Sequence, residues 1–177
     1  MPENLKTYTI RTAVTDDISL LQALGIETFT ETFADYNSPQ NMKRYLDKSF
    51  SRAQIEQEVR DPAGEFLLLM DRAITAGYAR IKAGTLPGQP ALRAMEIERI
   101  YARREYVGKK AGSTLMEACL ARARQKGYHT LWLGVWERNA RAIHFYERWG
   151  FERFGEHVFW LGDDAQTDWL MKRNIDL

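Results

Sequence analysis

The sequence predicts an α/β fold, mixed α+β in type, in which a single mixed sheet of about seven strands is flanked by about four helices. The first observation is a strand, a glycine-containing loop, a helix, a second strand and a second helix, in that order, between residues 94 and 151. The second is the order of the other segments: one strand, two helical regions and a strand pair come before this unit, and two strands follow it. Strands that alternate with helices in this way favour one sheet with helices on its faces.

Length and composition are those of one globular domain, which we place at residues 4–177. The chain has 177 residues, 45% of them hydrophobic, so it can bury a two-layer core. Its 25 basic and 24 acidic side chains give a formal net charge of +1, too small to recruit nucleic acid or an anionic membrane. The longest apolar run, Phe66–Met70, is too short to span a bilayer, and the first residues lack a signal-peptide pattern. We expect a cytoplasmic protein without nucleic-acid or membrane partners.

The single cysteine, Cys119, excludes a disulfide within the chain. It falls on the apolar face of a predicted helix, so we predict a buried core residue rather than a catalytic thiol. The sequence contains no metal-ligand spacing, and we expect no metal.

The first part of the chain supplies a strand, two helical regions and a strand pair. Thr15-Asp16-Asp17 provides a helix N-cap with an acidic first turn, and Pro39 fits the first turn of the second helical region. Two glycines and two prolines between Gly84 and Pro90 predict an exposed connection. The predicted segments are a strand at Thr7–Val14, helical regions ending at Asp61-Pro62, and strands at Glu65–Asp71 and Ala76–Lys82.

The loop from Val107 to Gly112 is the feature that indicates a ligand. It follows a strand predicted at Ala94–Tyr101 and precedes a helix that ends at Gly127. A glycine-containing loop that runs into a helix start offers unpaired N–H groups and the positive end of the helix dipole, which suit a phosphate or pyrophosphate. The alternative is a tight turn into an ordinary helix. The apolar face of that helix is formed by Gly112, Leu115, Met116, Cys119, Leu120 and Ala123.

A second strand and a second helix complete the central unit. The strand is predicted at Thr130–Trp136, and Asn139 begins a helix that ends at Gly150. Strands at Phe154–Trp160 and Gln166–Lys172 follow. One face of the second helix carries Ala142, Phe145, Tyr146 and Trp149.

Together these features resemble the acetyl-CoA-binding core of the GNAT N-acetyltransferase superfamily. The resemblance rests on Glu98-Arg99-Ile100-Tyr101, the loop from Gly108 to Gly112, Asn139, and Phe145-Tyr146 followed by Gly150-Phe151. It implies the GNAT fold for the whole chain, acetyl-CoA as co-substrate and an amine as acceptor. The tail and the second strand are similar to PaiA-type polyamine acetyltransferases at Leu133–Glu137, Phe154–His157, Leu161–Asp164 and Gln166–Asp168.

The resemblance also implies which residues bind acetyl-CoA. The pantetheine arm pairs with the strand backbone at Ile100, Tyr101 and Ala102, and Asn139 contacts the arm from the other side. Backbone N–H groups of the loop bind the pyrophosphate. The loop departs from the family pattern, which has Arg or Gln at its first position and glycine in the middle, but its backbone donors survive these changes. The loop residues are Val107 at the Arg or Gln position, Gly108, Lys109, Lys110 at the middle glycine, Ala111 and Gly112.

Two side chains are candidates for proton transfer. The attacking amine must be neutral, whereas an alkyl ammonium has a pKa of about 10.4, so a general base is needed. Glu98 is the first choice, because it lies on the strand beside the expected thioester, and the alternative is a carboxylate paired with Arg80 or Arg99. Glu31 is the reserve base. Tyr146 matches the family tyrosine beside the CoA sulfur that protonates the leaving thiolate, and it also fits the apolar face of its helix.

For the acceptor, the family places a pocket between the early helices and the later strands. The prediction is direct acetyl transfer to a primary amine, and a polyamine such as spermidine or spermine fits the acidic residues of this region. The alternatives are a peptide N-terminus or an antibiotic amine, or a degenerate domain that binds CoA as a regulator. Trp160 or Trp169 could form a homodimer contact if exposed, and core packing explains these two residues equally well. The residues predicted to bind the acceptor are Thr28, Phe29, Glu31, Thr32, Tyr36 and Glu98.

Overall fold

The computed structural model describes residues 8–175, and residues 4–7, 176 and 177 of the predicted domain lie outside the described residues. The described part of the chain forms seven strands and five α-helices. In chain order these are β1 (Thr9–Thr12), α1 (Ile18–Phe33), α2 (Pro39–Ser49), α3 (Arg52–Arg60), β2 (Gly64–Asp71), β3 (Ile74–Leu86), β4 (Gln89–Ala102), α4 (Ala111–Gln125), β5 (Thr130–Trp136), α5 (Ala140–Arg148), β6 (Glu152–Leu161) and β7 (Asp164–Asn174).

The seven strands form one sheet in the order β1-β2-β3-β4-β5-β7-β6. Neighbouring strands are antiparallel except β4 and β5, which run parallel. The predicted mixed sheet with helices on its faces is therefore confirmed. The parallel pair is at the centre of the sheet, where strands β1–β4 from the first part of the chain meet strands β5–β7 from the second part.

The helices number five rather than about four because the second helical region is two helices. The Ser38 hydroxyl accepts a hydrogen bond from the Asn41 N–H at 3.2 Å and caps α2, with Pro39 in the first turn as predicted. The Ser51 hydroxyl accepts from the Gln54 N–H at 3.1 Å and caps α3 in the same way. A second N-cap so soon after the first helix requires a break between them.

The segment from residue 84 to 90 is largely exposed, as predicted, but it is a hairpin of paired strands rather than a loop. β3 continues to Leu86 and β4 begins at Gln89, so the chain reverses in a two-residue turn with Gly88 at φ 75°. Leu86 is 1% exposed, because it belongs to a small core cluster with residues of β4, β5 and β7. Burial of this side chain keeps the two strands paired through a stretch whose composition is typical of a loop.

Helices cover both faces of the sheet. α4 and α5 share the larger core cluster with the strands, and α1, α2 and α3 share a second cluster on the opposite face. Cys119 of α4 is fully buried, and this burial raises the pKa of its thiol to about 12. This placement agrees with the predicted core role. No helix within residues 8–175 has the length and apolar composition needed to cross a membrane.

Trp160 and Trp169, the two candidates for a dimer contact, differ in their surroundings. Trp169 packs against the larger core cluster, and the Arg153 guanidinium lies 4.3 Å from the centre of its ring. Trp160 is 61% exposed on the edge strand β6, where Val158 is 60% exposed. Core packing therefore explains Trp169, whereas a homodimer contact at Trp160 stays a prediction.

Candidate active site

β4 and β5 separate at the centre of the sheet. They are paired at three positions, the last of which joins Ile97 to Leu133. Beyond this point, Glu98–Ala102 of β4 and Gly134–Trp136 of β5 border a cavity of about 660 Å³, which we call the central cavity. In the described chain, the β4 backbone groups that face the gap have no strand partner. An extended ligand can therefore pair with them as an added strand does.

Glu98 is the extra residue of a β-bulge beside the gap. Arg80 of β3 is opposite Arg99, and the next residue, Ile81, is opposite Ile97, so Glu98 has no partner of its own. The bulge keeps Ile97 in the core on the α4 side while Arg99 contacts the opposite core cluster. Ile100, Tyr101 and Ala102, predicted to bind the cofactor, all line the cavity.

The predicted phosphate loop forms one end of the central cavity. The N–H groups of Val107 and Lys109 donate to the carbonyls of Arg104 and Tyr106, at 3.2 and 3.1 Å, and so fold the loop into a turn. Lys110 is the N-cap residue of α4 and has a left-handed backbone with φ 64°, without a side-chain cap. The first N–H groups of α4, which follow it, have no acceptor within the helix and point out of its positive end. This arrangement suits a pyrophosphate, and the binding of one by these residues stays a prediction.

The side chains of the loop divide into two sets. Ala111 is 1% exposed in the core, and the Lys109 carbonyl accepts a hydrogen bond from the Tyr8 hydroxyl at 2.9 Å, so neither residue lines the cavity. A Cβ added to Gly112 would meet the ring of Phe145 at 3.5 Å, an ordinary contact, so packing does not require glycine there. The loop residues that line the cavity are Val107, Gly108, Lys110 and Gly112.

α5 forms the wall opposite β4. The Asn139 side-chain oxygen accepts a hydrogen bond from the Ala142 N–H at 3.2 Å, so this residue caps α5 as predicted and also lines the cavity. Tyr146 lines the cavity with only 9% of its surface exposed, and burial raises the pKa of its phenol. The phenol therefore keeps its proton at neutral pH and can donate it. The packing and proton-donor interpretations of Tyr146 are compatible in this geometry.

The cavity also has a basic rim that the sequence did not predict. Arg141, His144 and Arg148 lie three or four residues apart on α5 and line the cavity near the loop. Their spacing in the sequence could have indicated this rim, because residues three or four positions apart lie on the same face of a helix. Arg141 and Arg148, together with Lys110, bring positive charge to the cavity lining. Ser113 and Ala142 complete the lining that the sequence did not predict at this end.

Glu98 is held by a buried charge network. Arg80 is 2% exposed, and its guanidinium pairs with Glu98 and, at 3.2 Å, with Asp61. Glu58 lies 3.8 Å from Arg80 and accepts a hydrogen bond from Arg99 at 2.6 Å. Desolvation lowers the pKa of Arg80. The predicted alternative for Glu98, an ion pair with Arg80, is therefore present, while the carboxylate still lines the cavity.

The far end of the central cavity has aromatic walls from four elements, and we call this end the acceptor chamber. Phe29 and Phe33 of α1 have ring centres 4.5 Å apart, and Tyr45 of α2 stacks on Phe29 at 4.4 Å. Phe159 of β6 lies 5.5 Å from Tyr45, and Trp136 of β5 lies 6.1 Å from Phe33. Gln166 and Asp168 of β7 complete the lining. Aromatic faces and a carboxylate together attract an alkylammonium group.

The residues predicted to bind the acceptor are only partly brought together. Phe29, Thr32 and Glu98 line the cavity. Thr28, Glu31 and Tyr36 lie outside the lining. The buried Thr28 hydroxyl donates to the Leu24 carbonyl at 2.8 Å, and the Glu31 carboxylate, the reserve base, accepts from the Arg104 N–H at 3.0 Å. Tyr36 is 68% exposed, with its ring 5.3 Å from that of Trp136.

Residues 27–151 match the sequence model of the family described as "Acetyltransferase (GNAT) family". The chain belongs to the GNAT family. The matched range contains the separated strands, the loop, α4 and α5. The protein is an N-acetyltransferase that uses acetyl-CoA.

Relatives and solved structures agree with this GNAT assignment. An uncharacterized N-acetyltransferase from the pepI 3′ region of Lactobacillus delbrueckii subsp. lactis is 37% identical over 160 residues, covering 90% of this chain and 92% of the relative. The crystal structure of a PaiA N-acetyltransferase from Thermoplasma acidophilum in complex with coenzyme A superposes with a TM-score of 0.78 at 21% identity, covering 95% and 99% of the two chains. A GCN5-related N-acetyltransferase from Rhodopseudomonas palustris gives a TM-score of 0.79 at 16% identity, covering 99% and 100%. At these identities the two structures support the fold.

The central cavity of this GNAT chain suits each part of acetyl-CoA. The free N–H groups at the start of α4 and the basic rim suit the pyrophosphate. The unpaired edge of β4 suits an extended, amide-containing arm. The protonated Tyr146 suits a developing thiolate. The loop departs from the family pattern in its side chains, at Val107 and Lys110, and keeps the backbone donors.

Proposed function

We propose that the chain transfers the acetyl group of acetyl-CoA directly to a primary amine of a polyamine such as spermidine or spermine. The observation that carries this proposal is the acceptor chamber, in which aromatic rings and the carboxylates of Glu98 and Asp168 line one end of the central cavity. A flexible chain of methylene groups and ammonium groups can contact both kinds of surface. The resemblance of the tail to PaiA-type enzymes points the same way.

We assign the proton-transfer roles to Glu98 and Tyr146. The neutral amine nitrogen attacks the thioester carbonyl carbon, the new bond is C–N, and the bond that breaks is C–S. Glu98, directly or through water, takes the proton whose loss makes the amine neutral, and the second proton leaves the nitrogen for solvent once the C–N bond has formed. The sulfur receives the Tyr146 hydroxyl proton, and exchange with solvent returns Tyr146 and Glu98 to their starting protonation states. The buried Cys119 lies on the core side of α4, which supports direct transfer over an acetyl-cysteine route.

The cofactor contacts in this proposal come from the loop, from β4 and from Asn139 at the start of α5. Backbone N–H groups of the loop from Val107 to Gly112 hold the pyrophosphate. The β4 backbone at Ile100–Ala102 pairs with the pantetheine arm. Asn139 reaches the arm from the α5 side with the amide nitrogen that its capping bond does not use.

The test is free-thiol release from acetyl-CoA by the purified protein with spermidine, spermine, short peptides and aminoglycosides as acceptors. Turnover confined to the polyamines is the expected result. Turnover on peptides or aminoglycosides alone would replace the acceptor and keep the chemistry. Tight CoA binding without turnover on any acceptor would favour the regulator.

A further inference from the structure

Asp168 lines the acceptor chamber from β7, the middle strand of the row β5-β7-β6. The sheet register places it opposite Trp136 of β5 on one side and His157 of β6 on the other. Its side chain is 14% exposed and lines the central cavity. The local sequence around Asp168 does not indicate a role for this residue, because nothing in it shows that β7 enters the sheet between β5 and β6.

Asp168 differs from the other carboxylates of this face in its partner. Glu58, Asp61 and Glu98 each pair with a buried arginine. Within residues 8–175, no lysine or arginine lies within ion-pair distance of Asp168, and its neighbour is the His157 imidazole at 3.6 Å, which is charged only when protonated. Burial raises the pKa of Asp168, and His157 opposes this shift. A permanent cation that entered the chamber would supply the missing counter-charge.

Gly134 leaves the carboxylate open to the chamber. A Cβ at this position of β5 would lie 3.4 Å from the Asp168 Oδ2 atom and 3.6 Å from the His157 Nε2 atom. Without that carbon, the Asp168 carboxylate lines the cavity, with His157 as its neighbour outside the lining. Phe159, two residues after His157 on β6, and Trp136 provide aromatic surface beside them.

A carboxylate at this position can act on an amine in one of two ways. It can remove a proton from the reacting nitrogen, or it can bind an ammonium group that does not react. β7 is two strands from β4, a separation of at least about 10 Å because β4 and β5 are no longer paired at this level, and the proposed transfer takes place beside β4 and Tyr146. An aminopropyl or aminobutyl arm extending from the reacting nitrogen covers such a distance together with the side chain. The separation favours the second role.

We propose that Asp168 is the specificity residue that binds a non-reacting ammonium group of the acceptor. The inference rests on the proposed polyamine function. His157 holds the carboxylate in place, and the aromatic walls bind the methylene groups between the nitrogens. An acceptor with a second cationic nitrogen is therefore preferred over a monoamine of equal length.

The experiment compares a diamine with the monoamine of the same chain length, and also uses spermidine, on the wild-type protein, Asp168→Asn and Asp163→Asn. Asp163 is an exposed carboxylate paired with Arg44 outside the cavity, so its variant controls for the loss of one negative charge. We expect Asp168→Asn to raise the KM for spermidine and the diamine about tenfold or more, with kcat within about twofold and the monoamine unaffected. Asp168→Glu should recover part of the loss.

Three results would overturn the inference. If the wild-type protein acetylates polyamines and Asp168→Asn has an unchanged KM for them, Asp168 does not bind the second ammonium group, while the proposed polyamine function is retained. A fall in kcat for the diamine and the monoamine alike, with a changed pH profile, would make Asp168 the base. Calorimetric titration of spermidine into the CoA-saturated wild-type protein is the second readout: no binding and no polyamine turnover would overturn both proposals.

Discussion

The Arg80 guanidinium pairs with the Glu98 carboxylate across the β3–β4 hairpin, at the bulge beside the gap. The pair joins a buried cation to a carboxylate that lines the cavity. It orients Glu98 and, through Asp61, connects this carboxylate to the segment that follows α3. Glu98 therefore has two proposed functions that experiments can separate: proton transfer and compensation of the Arg80 charge.

Replacing Glu98 with Gln tests both functions. We expect kcat to fall about 100-fold, because the base is lost. The free energy of unfolding should fall by about 1–3 kcal/mol, since Arg80 loses one of its carboxylates but keeps Asp61 and Glu58. Steady-state kinetics as a function of pH and urea unfolding measure the two effects. Lost stability with an unchanged kcat would leave Glu98 only its structural role.

Glu96→Gln is the matched control on the same strand. Burial raises the pKa of Glu96, and this residue does not line the cavity. A carboxyl group with a raised folded-state pKa favours folding of the protonated form, so its contribution is lost as the pH rises through that pKa. The glutamine variant should therefore match or exceed the wild-type stability at pH 7, and keep kcat.

Tyr146→Phe tests the proton donor. We expect kcat to fall about tenfold to 100-fold with an unchanged Kd for CoA, because the ring and its packing remain. The pKa of Tyr146 is raised, so the phenol stays protonated up to and beyond the ordinary value of about 10. The wild-type kcat should accordingly show no decline from loss of this proton below pH 10. A Kd for CoA that rises as much as kcat falls would indicate a binding role instead.

Gly112→Ala separates the needs of the ligand from those of the fold. The added methyl group meets Phe145 at an ordinary distance, so the free energy of unfolding should stay equal or rise by up to about 1 kcal/mol. CoA should bind about tenfold or more weakly, because the methyl group stands where the pyrophosphate approaches the backbone. Calorimetric titration with CoA and thermal unfolding measure the pair of effects. Gly77→Ala is the contrasting control, since its Cβ would lie 2.5 Å from the Tyr101 carbonyl oxygen and should destabilise the fold itself.

Lys110→Gly tests the backbone of the loop. The lysine has φ 64°, a conformation that glycine adopts at lower cost, so the variant should gain about 1 kcal/mol of unfolding free energy. Lys110→Ala removes the same charge and keeps the strain, and should show no such gain. Equal stability of the two variants would contradict the assigned strain. Because Lys110→Gly and Lys110→Ala lack the same charge, any difference in their affinity for CoA reflects the backbone geometry of the loop.

The sequence predicted the elements better than the contacts between them. The strand, loop, helix, strand and helix from residue 94 to 151 follow from periodicity and caps, which are local. Arg80 was foreseen as a partner of Glu98, but the wider network was not, because Glu58 and Arg99 are 41 positions apart and meet through the bulge. A bulge leaves no mark in the hydrophobic pattern when its residues are charged.

The acceptor chamber shows the same limit. Phe29 and Thr32 face the cavity while their helix neighbours Thr28 and Glu31 do not, and the rotation of α1 that decides this is set by packing on the sheet. Asp168 and His157 meet because β7 enters between β5 and β6, a strand order that spacing along the chain does not reveal.

The short parallel contact between β4 and β5 divides the sheet into a four-stranded part and a three-stranded part. With three paired positions at this boundary, the cooperativity of unfolding across it depends on α4 packing and on whatever bridges the two strands. A molecule in the gap therefore completes the sheet. In hydrogen exchange, amides of β5, β6 and β7 should open separately from those of β2 and β3 when the gap is empty, and the two groups should open as one unit when it is filled.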